Sequence, residues 1–173
     1  TKRINQITVT SNEKYVVSCS SDATIRIWCL HSGMQDGEAL CGHNGVVNGI
    51  CISPDERYIV SAGEDGTVRL WDFLTHKQSG SPLLGHNCSV KSVCVTPDGK
   101  CIVSADQKGK VCIWDIETRK QVGNALQCSP DSIESIAVLL DGSTIIVAGY
   151  DGKIRAFDIG ERTLISQIDA HGD

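Results

Sequence analysis

Short stretches in which apolar and polar residues alternate recur along the chain, each closed by a cluster of turn-forming residues. Val46-Val47-Asn48-Gly49-Ile50-Cys51-Ile52 is one, and Ser53-Pro54-Asp55-Glu56 ends it. A second, Tyr58 to Ala62, stops at Glu64-Asp65-Gly66, where glycine supplies the positive φ that a hairpin turn demands. Thr67 to Trp71 forms a third, and Gly80-Ser81-Pro82-Leu83-Leu84 a fourth and weaker one leading to Gly85-His86. A period of two with Gly, Pro and Asp punctuation, and no helical periodicity, predicts a small antiparallel sheet.

The same pattern repeats. Trp28, Trp71, Trp114 and Phe157 are spaced 43 residues apart, and apolar columns fall in register around them. Ile7, Ile50, Val93 and Ile136 form one column; Val16, Ile59, Ile102 and Ile145 form another; Ile25, Val68, Val111 and Ile154 form a third. A sheet of about forty residues cannot bury both of its faces alone, so neighbouring units must stack and share a core. Radial stacking of this kind predicts an all-β β-propeller made of four-stranded antiparallel blades. The expected division is one repeat domain over 1–173, with blades at about 1–43, 44–86, 87–129 and 130–173.

Gly42-His43, Ser53-Pro54-Asp55, Ser61-Ala62-Gly63-Glu64-Asp65-Gly66-Thr67 and Trp71-Asp72 together resemble one complete WD repeat. The next copy keeps Gly85-His86, Pro97-Asp98-Gly99, Ser104 and Trp114-Asp115. The resemblance to the WD-repeat (beta-transducin-like) family covers essentially the whole chain. It implies a buried hydrogen-bond relay of Trp, Ser or Thr, His and Asp in each repeat, supplied in the second by His43, Ser61, Asp65 and Trp71. The first repeat offers Ser18, Asp22 and Trp28, and its His column lies one position before Thr1. The third offers His86, Ser104 and Trp114 with Lys108 in the Asp column, so its relay is expected to be incomplete although Asp106 stands two residues away. In the fourth, Ser129, Val147 and Phe157 replace His, Ser and Trp; the expectation is apolar packing, with Asp151 alone remaining. A hydrolase reading of Ser61, His43 and Asp65 fails on recurrence, because a catalytic site has no reason to be copied along a scaffold.

The resemblance also implies contact positions for partners at three and five residues after the His column and one before the Asp column. By position these are Arg3, Asn5 and Ser21; Val46, Asn48 and Glu64; Ser89, Lys91 and Gln107; and Ser132, Glu134 and Tyr150. Arg3 and Tyr150 are the strongest anchors, since Arg and Tyr dominate interface energetics.

Composition narrows the function further. A formal net charge of −5, with sixteen scattered Lys and Arg, argues against a surface for nucleic acid or anionic lipid. Nine cysteines contain no C-x2-C pair, and several share columns with alanine, so they read as small buried fillers and neither a metal site nor a disulfide framework. No apolar run approaches the roughly 18 residues of a membrane helix. Motifs for phosphate loops, zinc hydrolases or serine acylases are absent, so neither a cofactor nor a metal nor an enzymatic activity is expected. The expected protein is an intracellular, cytoplasmic protein-interaction scaffold that binds proteins or peptides through loops on one face. The alternative is a ligand-sensing or small-molecule- or glycan-binding module of a larger signalling protein.

Family propellers are commonly closed by seven blades, and Ala170-His171-Gly172-Asp173 resembles the start of a fifth repeat one residue early. If each open blade face left about 400 Å² of apolar area in water, the missing burial would be worth on the order of 10 kcal/mol. Three arrangements follow: a piece of a longer repeat array, such as those attached to signalling NTPases; self-association of two copies through open blade faces into an eight-blade ring; or tighter closure of four blades.

Overall fold

The structure, a computed structural model, describes residues 2–171. Blade 1 consists of β1 (Ile4–Val9), β2 (Tyr15–Ser20), β3 (Thr24–Cys29) and β4 (Gln35–Cys41), hydrogen-bonded in that order. Blade 2 follows with β5 (Val47–Ile52), β6 (Tyr58–Gly63) and β7 (Thr67–Asp72); its outer strand is split into β8 (Lys77–Gln78) and β9 (Leu83–Leu84), both paired to β7. Blade 3 is β10 (Val90–Val95), β11 (Cys101–Asp106), β12 (Lys110–Asp115) and the short β13 (Leu126–Gln127). Blade 4 is β14 (Ile133–Val138), β15 (Thr144–Gly149), β16 (Lys153–Asp158) and β17 (Leu164–Asp169). All pairings are antiparallel. The stretch predicted as one weak strand over 80–84 is extended only at β9, because Pro82 has no N–H to give the ladder.

The core lies between blades. The trailing face of blade 1, Val17, Cys19, Ile25, Ile27 and Leu40, packs on Val47, Ile50, Ile59 and Trp71 of blade 2. Blade 2 repeats this against blade 3 with Val60, Ala62, Val68, Leu70 and Leu83 facing Val90, Val93, Ile102 and Trp114. Blade 3 meets Ile133, Ile136, Ile145 and Phe157 of blade 4 in the same way. One apolar face therefore always meets the next blade's aromatic face. This explains why the tryptophan column recurs once per unit.

Polar ties reinforce the stacking at both ends of the blades. Each inner strand carries a bulge near its start, between Ile4 and Gln6 in β1 and between Val47 and Gly49 in β5. Beside these, Asn5 Nδ2 donates to Val47 O at 2.8 Å, Asn48 Nδ2 donates to Val90 O at 2.8 Å, and Gln6 Oε1 accepts from Ile50 N at 2.9 Å. At the opposite end the guanidinium groups of Arg57 and Arg119 each lie 5.0 Å from the centre of the Tyr58 ring, and Arg119 Nη2 donates to Ser79 Oγ across the blade 2–3 seam. The packing runs β1 on β5, β5 on β10 and β10 on β14, and among the described residues no comparable packing joins β14 to β1. The described residues form an open propeller arc of four blades.

Candidate functional site

In blade 2, β6 presents Ser61 and β7 presents Trp71, while the turn between them places Asp65 beneath His43 from the incoming segment. Trp71 Nε1 donates to Ser61 Oγ at 2.9 Å, and Ser61 Oγ lies 2.7 Å from His43 Nε2. His43 Nδ1 is 3.1 Å from each carboxylate oxygen of Asp65, which also accepts from Asn44 N and Thr67 N. Only one tautomer satisfies every atom: the indole donates to the hydroxyl, the hydroxyl to Nε2, and Nδ1–H to the carboxylate. Burial pushes the His43 pKa below its ordinary value in spite of the Asp65 charge, which keeps the ring neutral as this chain of donors requires. Burial also pushes Asp65 upward, but the donors from Asn44, Thr67 and His43 outweigh it and hold the carboxyl below the usual range. Ser61 is wholly buried between Trp71 and His43, so its oxygen meets no substrate. The relay is a fastening, with the chemistry of a triad and none of its access.

The other blades use variants of this fastening. In blade 1, Trp28 Nε1 donates to Ser18 Oγ at 2.8 Å, and Asp22 accepts from Thr24 N and Thr24 Oγ1. Blade 3 has a complete relay, contrary to the expectation from Lys108: Trp114 donates to Ser104 at 2.8 Å, Ser104 lies 2.7 Å from His86 Nε2, and His86 Nδ1 lies 2.8 Å from Asp106 Oδ2. The reason is geometric. Asp106 occupies the column held by Gly63 in blade 2, where a Cβ would overlap both the His43 ring and the Asp65 carboxylate. In blade 2 the carboxylate reaches this space from two residues further on, and the column must be glycine. In blade 3 the carboxylate starts from the column itself, so position 108 is free to be lysine.

Blade 4 also departs from expectation. Val147 and Phe157 do pack apolar, but Asp151 does not stand alone: Arg155 Nη1 donates to Asp151 Oδ1 at 3.2 Å, and Arg155 Nε donates to Gln167 at 2.9 Å. Arg155 is buried, and its guanidinium is the first of the groups that hold the Asp151 carboxyl low. Arg26 and Arg69 stand in the same column, donating to Gln35 and Gln78 at 2.9 and 2.8 Å. Ser129, in the His column, accepts from Asp131 N and shapes the incoming turn. Arg155 was missed from sequence, and Asp106 was noticed there but given no place in the relay. Their signals are the exchange of Gly for Asp two positions before a lost Asp, and an Arg column interrupted only by Cys112.

These fastenings set the loops of one face. Ser21 N donates to Arg3 O, Glu64 N to Val46 O, Gln107 N to Ser89 O and Tyr150 N to Ser132 O, at 2.8–2.9 Å in all four blades. Eight of the twelve expected contact positions are thus brought together as four pairs, one per blade. The other four divide. Asn5 and Asn48 are spent on inter-blade bonds, with Ser21 Oγ and Ser89 Oγ as further partners, whereas Lys91 is half-buried and Glu134 is exposed, where it accepts from Ser132 Oγ. Arg3, Glu64, Gln107 and Tyr150 are exposed, Tyr150 at 80%. A shallow cleft of about 320 Å³ opens on this face between Glu64-Asp65-Gly66 and His86-Asn87-Cys88. Among the described residues no group of His, Cys, Asp and Glu side chains is placed to hold a metal ion. All nine cysteines are free.

No curated protein matches the chain at a significant level. The family model for the WD domain, G-beta repeat, matches residues 1–29, 35–72, 77–115 and 120–158. Each matched segment closes on the third strand of a blade, at Cys29, Asp72, Asp115 and Asp158, and the last three each take in the outer strand of the preceding blade, so every such repeat spans the seam between two blades; the chain belongs to the WD domain, G-beta repeat family.

Proposed function

We propose that the chain binds proteins or peptides through the face that carries the four fastened loop pairs, with no covalent chemistry of its own. Membership of the WD-repeat family supports the coarse reading of a non-catalytic interaction scaffold. The observation that carries the finer one is the recurrence of a single backbone bond under unlike side chains: Arg3 with Ser21, Val46 with Glu64, Ser89 with Gln107, Ser132 with Tyr150. A constant backbone beneath a varied surface gives preorganisation without constraining what is recognised, and rigid loops lose little entropy on binding. Tyr150 is the anchor, because a large exposed aromatic on a fixed turn brings contact area at low conformational cost.

Peptides selected from a random display library against the chain test this reading. Tyr150→Ala and Glu64→Lys should each weaken the selected peptides about tenfold or more, the effect of a typical hot-spot truncation. Arg57→Ala and Leu74→Ser, in turns at the opposite end of the blades, should leave binding unchanged. Peptides that respond to the second pair and not the first would place recognition elsewhere.

A further inference from the structure

The three seams between blades share one core chemistry, but at the end away from the loop pairs they finish differently. Between blades 1 and 2 the chain fills the space itself. Glu56 accepts from Ser11 Oγ at 2.6 Å, the Phe73 ring meets Tyr15 edge-on at 5.6 Å, and His76 Nε2 lies 3.8 Å from Asp36 Oδ2. Between blades 3 and 4 the cations in the same repeat positions are satisfied: Arg162 donates to the carbonyls of Val122 and Asn124, and Lys100 Nζ lies 3.8 Å from Asp98 Oδ2.

The seam between blades 2 and 3 breaks this rule. Gly99 stands where Glu56 closes the first seam, and with no side chain there a cavity of about 450 Å³ opens, walled by Arg57, Tyr58, Ile116 and Arg119. Both guanidinium groups lie 5.0 Å from the centre of the Tyr58 ring, and among the described residues no carboxylate pairs with either. Among the same residues the Arg57 guanidinium and the Tyr58 hydroxyl have no hydrogen-bond partner. The side chain of Arg119 bonds only to Ser79 Oγ, at 3.0 Å through Nη2, and its Nη1 is buried without an acceptor. Stacking on a ring uses the face of a guanidinium and leaves its N–H edge for an acceptor. Two cations and a hydroxyl short of acceptors therefore line one cavity. A feature copied in every unit serves the scaffold; the unit that departs from the copy is where a site is grafted.

Which acceptor fits follows from the rest of the lining. Asp55 and Glu117 set two negative charges against the two positive ones, Asp55 being held by Ser53 Oγ at 2.5 Å and Arg57 N at 3.1 Å. A doubly charged phosphate would be opposed by both carboxylates, whereas a planar, singly charged carboxylate matches the guanidinium fork with less repulsion. Ile116 offers an apolar wall, and the cavity falls in the range of small-ligand sites, about 300–1,000 Å³. The geometry points to a binding site for a small organic monocarboxylate in the seam of blades 2 and 3, its carboxylate held by Arg57, Arg119 and the Tyr58 hydroxyl and its carbon chain lying on Ile116.

Titration of the isotope-labelled chain with butyrate, followed by NMR, tests the proposal. Butyrate should shift the amide signals of Tyr58, Gly99 and Arg119 saturably, and butyramide, of similar shape and no charge, should not; equal shifts from both, or none from butyrate, overturn it. Tighter binding of inorganic phosphate than of butyrate would overturn the choice of a carboxylate. Tighter binding of a capped tripeptide with a central glutamate would overturn the free acid in favour of a partner's side chain. Arg57→Ala, the change that spares peptides held on the opposite face, should weaken butyrate about tenfold, the loss of one charge-assisted hydrogen bond. Arg57 is exposed, so this variant keeps its strand content by circular dichroism. Tyr58→Phe, which retains the ring and its packing, should cost about threefold. Arg162→Gln, in the satisfied copy of the same turn, should leave the affinity as it was. An affinity untouched by Arg57→Ala would remove the guanidinium pair from the site and overturn the proposal.

Discussion

At the scale of single residues, the fold is a problem of finding partners for buried protons. A buried indole and a buried imidazole together need an acceptor, a bifunctional hydroxyl and a carboxylate, and removing any one orphans the rest at about 1–3 kcal/mol. The two solutions in blades 2 and 3 make a sharp prediction. Asp106→Gly should destabilise the chain by about that amount, because His86 loses its acceptor, whereas the double change Asp106→Gly with Lys108→Asp should regain most of it by rebuilding the blade 2 arrangement. Urea unfolding of the two single variants and the double would show it; additive losses would break the argument. The repeat columns showed where a relay belongs in each unit and that the second carries all four members in register. They did not reveal that a carboxylate two positions out of register reaches the same point in space, because register follows the backbone while hydrogen bonding follows the side-chain tip. Acid should expose the same wiring. The His43 pKa is depressed below 6.5, so as pH falls below that value the unfolded chain takes up a proton that the folded one refuses, and stability drops. Asp65, depressed below 3.8, contributes stability above that value and loses it as pH falls further, through its folded pKa. Melting temperatures should therefore fall between about pH 7.5 and about pH 5.5, before any carboxylate titrates; a flat profile over that interval would contradict a neutral, buried His43.

At the scale of elements, strands were legible because apolar alternation and turn residues recur with one period, and in the second repeat the inner, second and third strands fall where the pattern put them. The outer strands were the least legible. They lie at the rim, where β13 needs only two residues of pairing and β17 runs exposed along its length, so little burial constrains their sequence. What fixes the elements against one another is the turn between the second and third strands. Gly66, Gly109 and Gly152 all have φ between 73° and 76°, and a Cβ on Gly109 would overlap the Ser129 carbonyl. Gly109→Ala thus meets both a backbone conformation that costs about 1–3 kcal/mol and a clash with the incoming segment. It should lower stability by clearly more than Gly80→Ala, which shares the positive φ but meets nothing within 4 Å. Equal losses by thermal melting would show that the close approach is irrelevant.

At the scale of the whole molecule, stability is the sum of unit strengths and of the seams between units, and those seams are nearly equivalent in chemistry. Such arrays need not open all at once. The free cysteines are distributed in a way that bears on this. Cys19 is sealed in blade 1, Cys112 in blade 3 and Cys128 where blade 3 meets blade 4, with burial pushing their thiols to about 11, about 12 and about 12. A sulfur held protonated and out of reach does not react with an alkylating reagent until its surroundings part. The chain therefore carries its own set of clocks: the order in which these three sulfurs are capped over time is the order in which the arc comes apart.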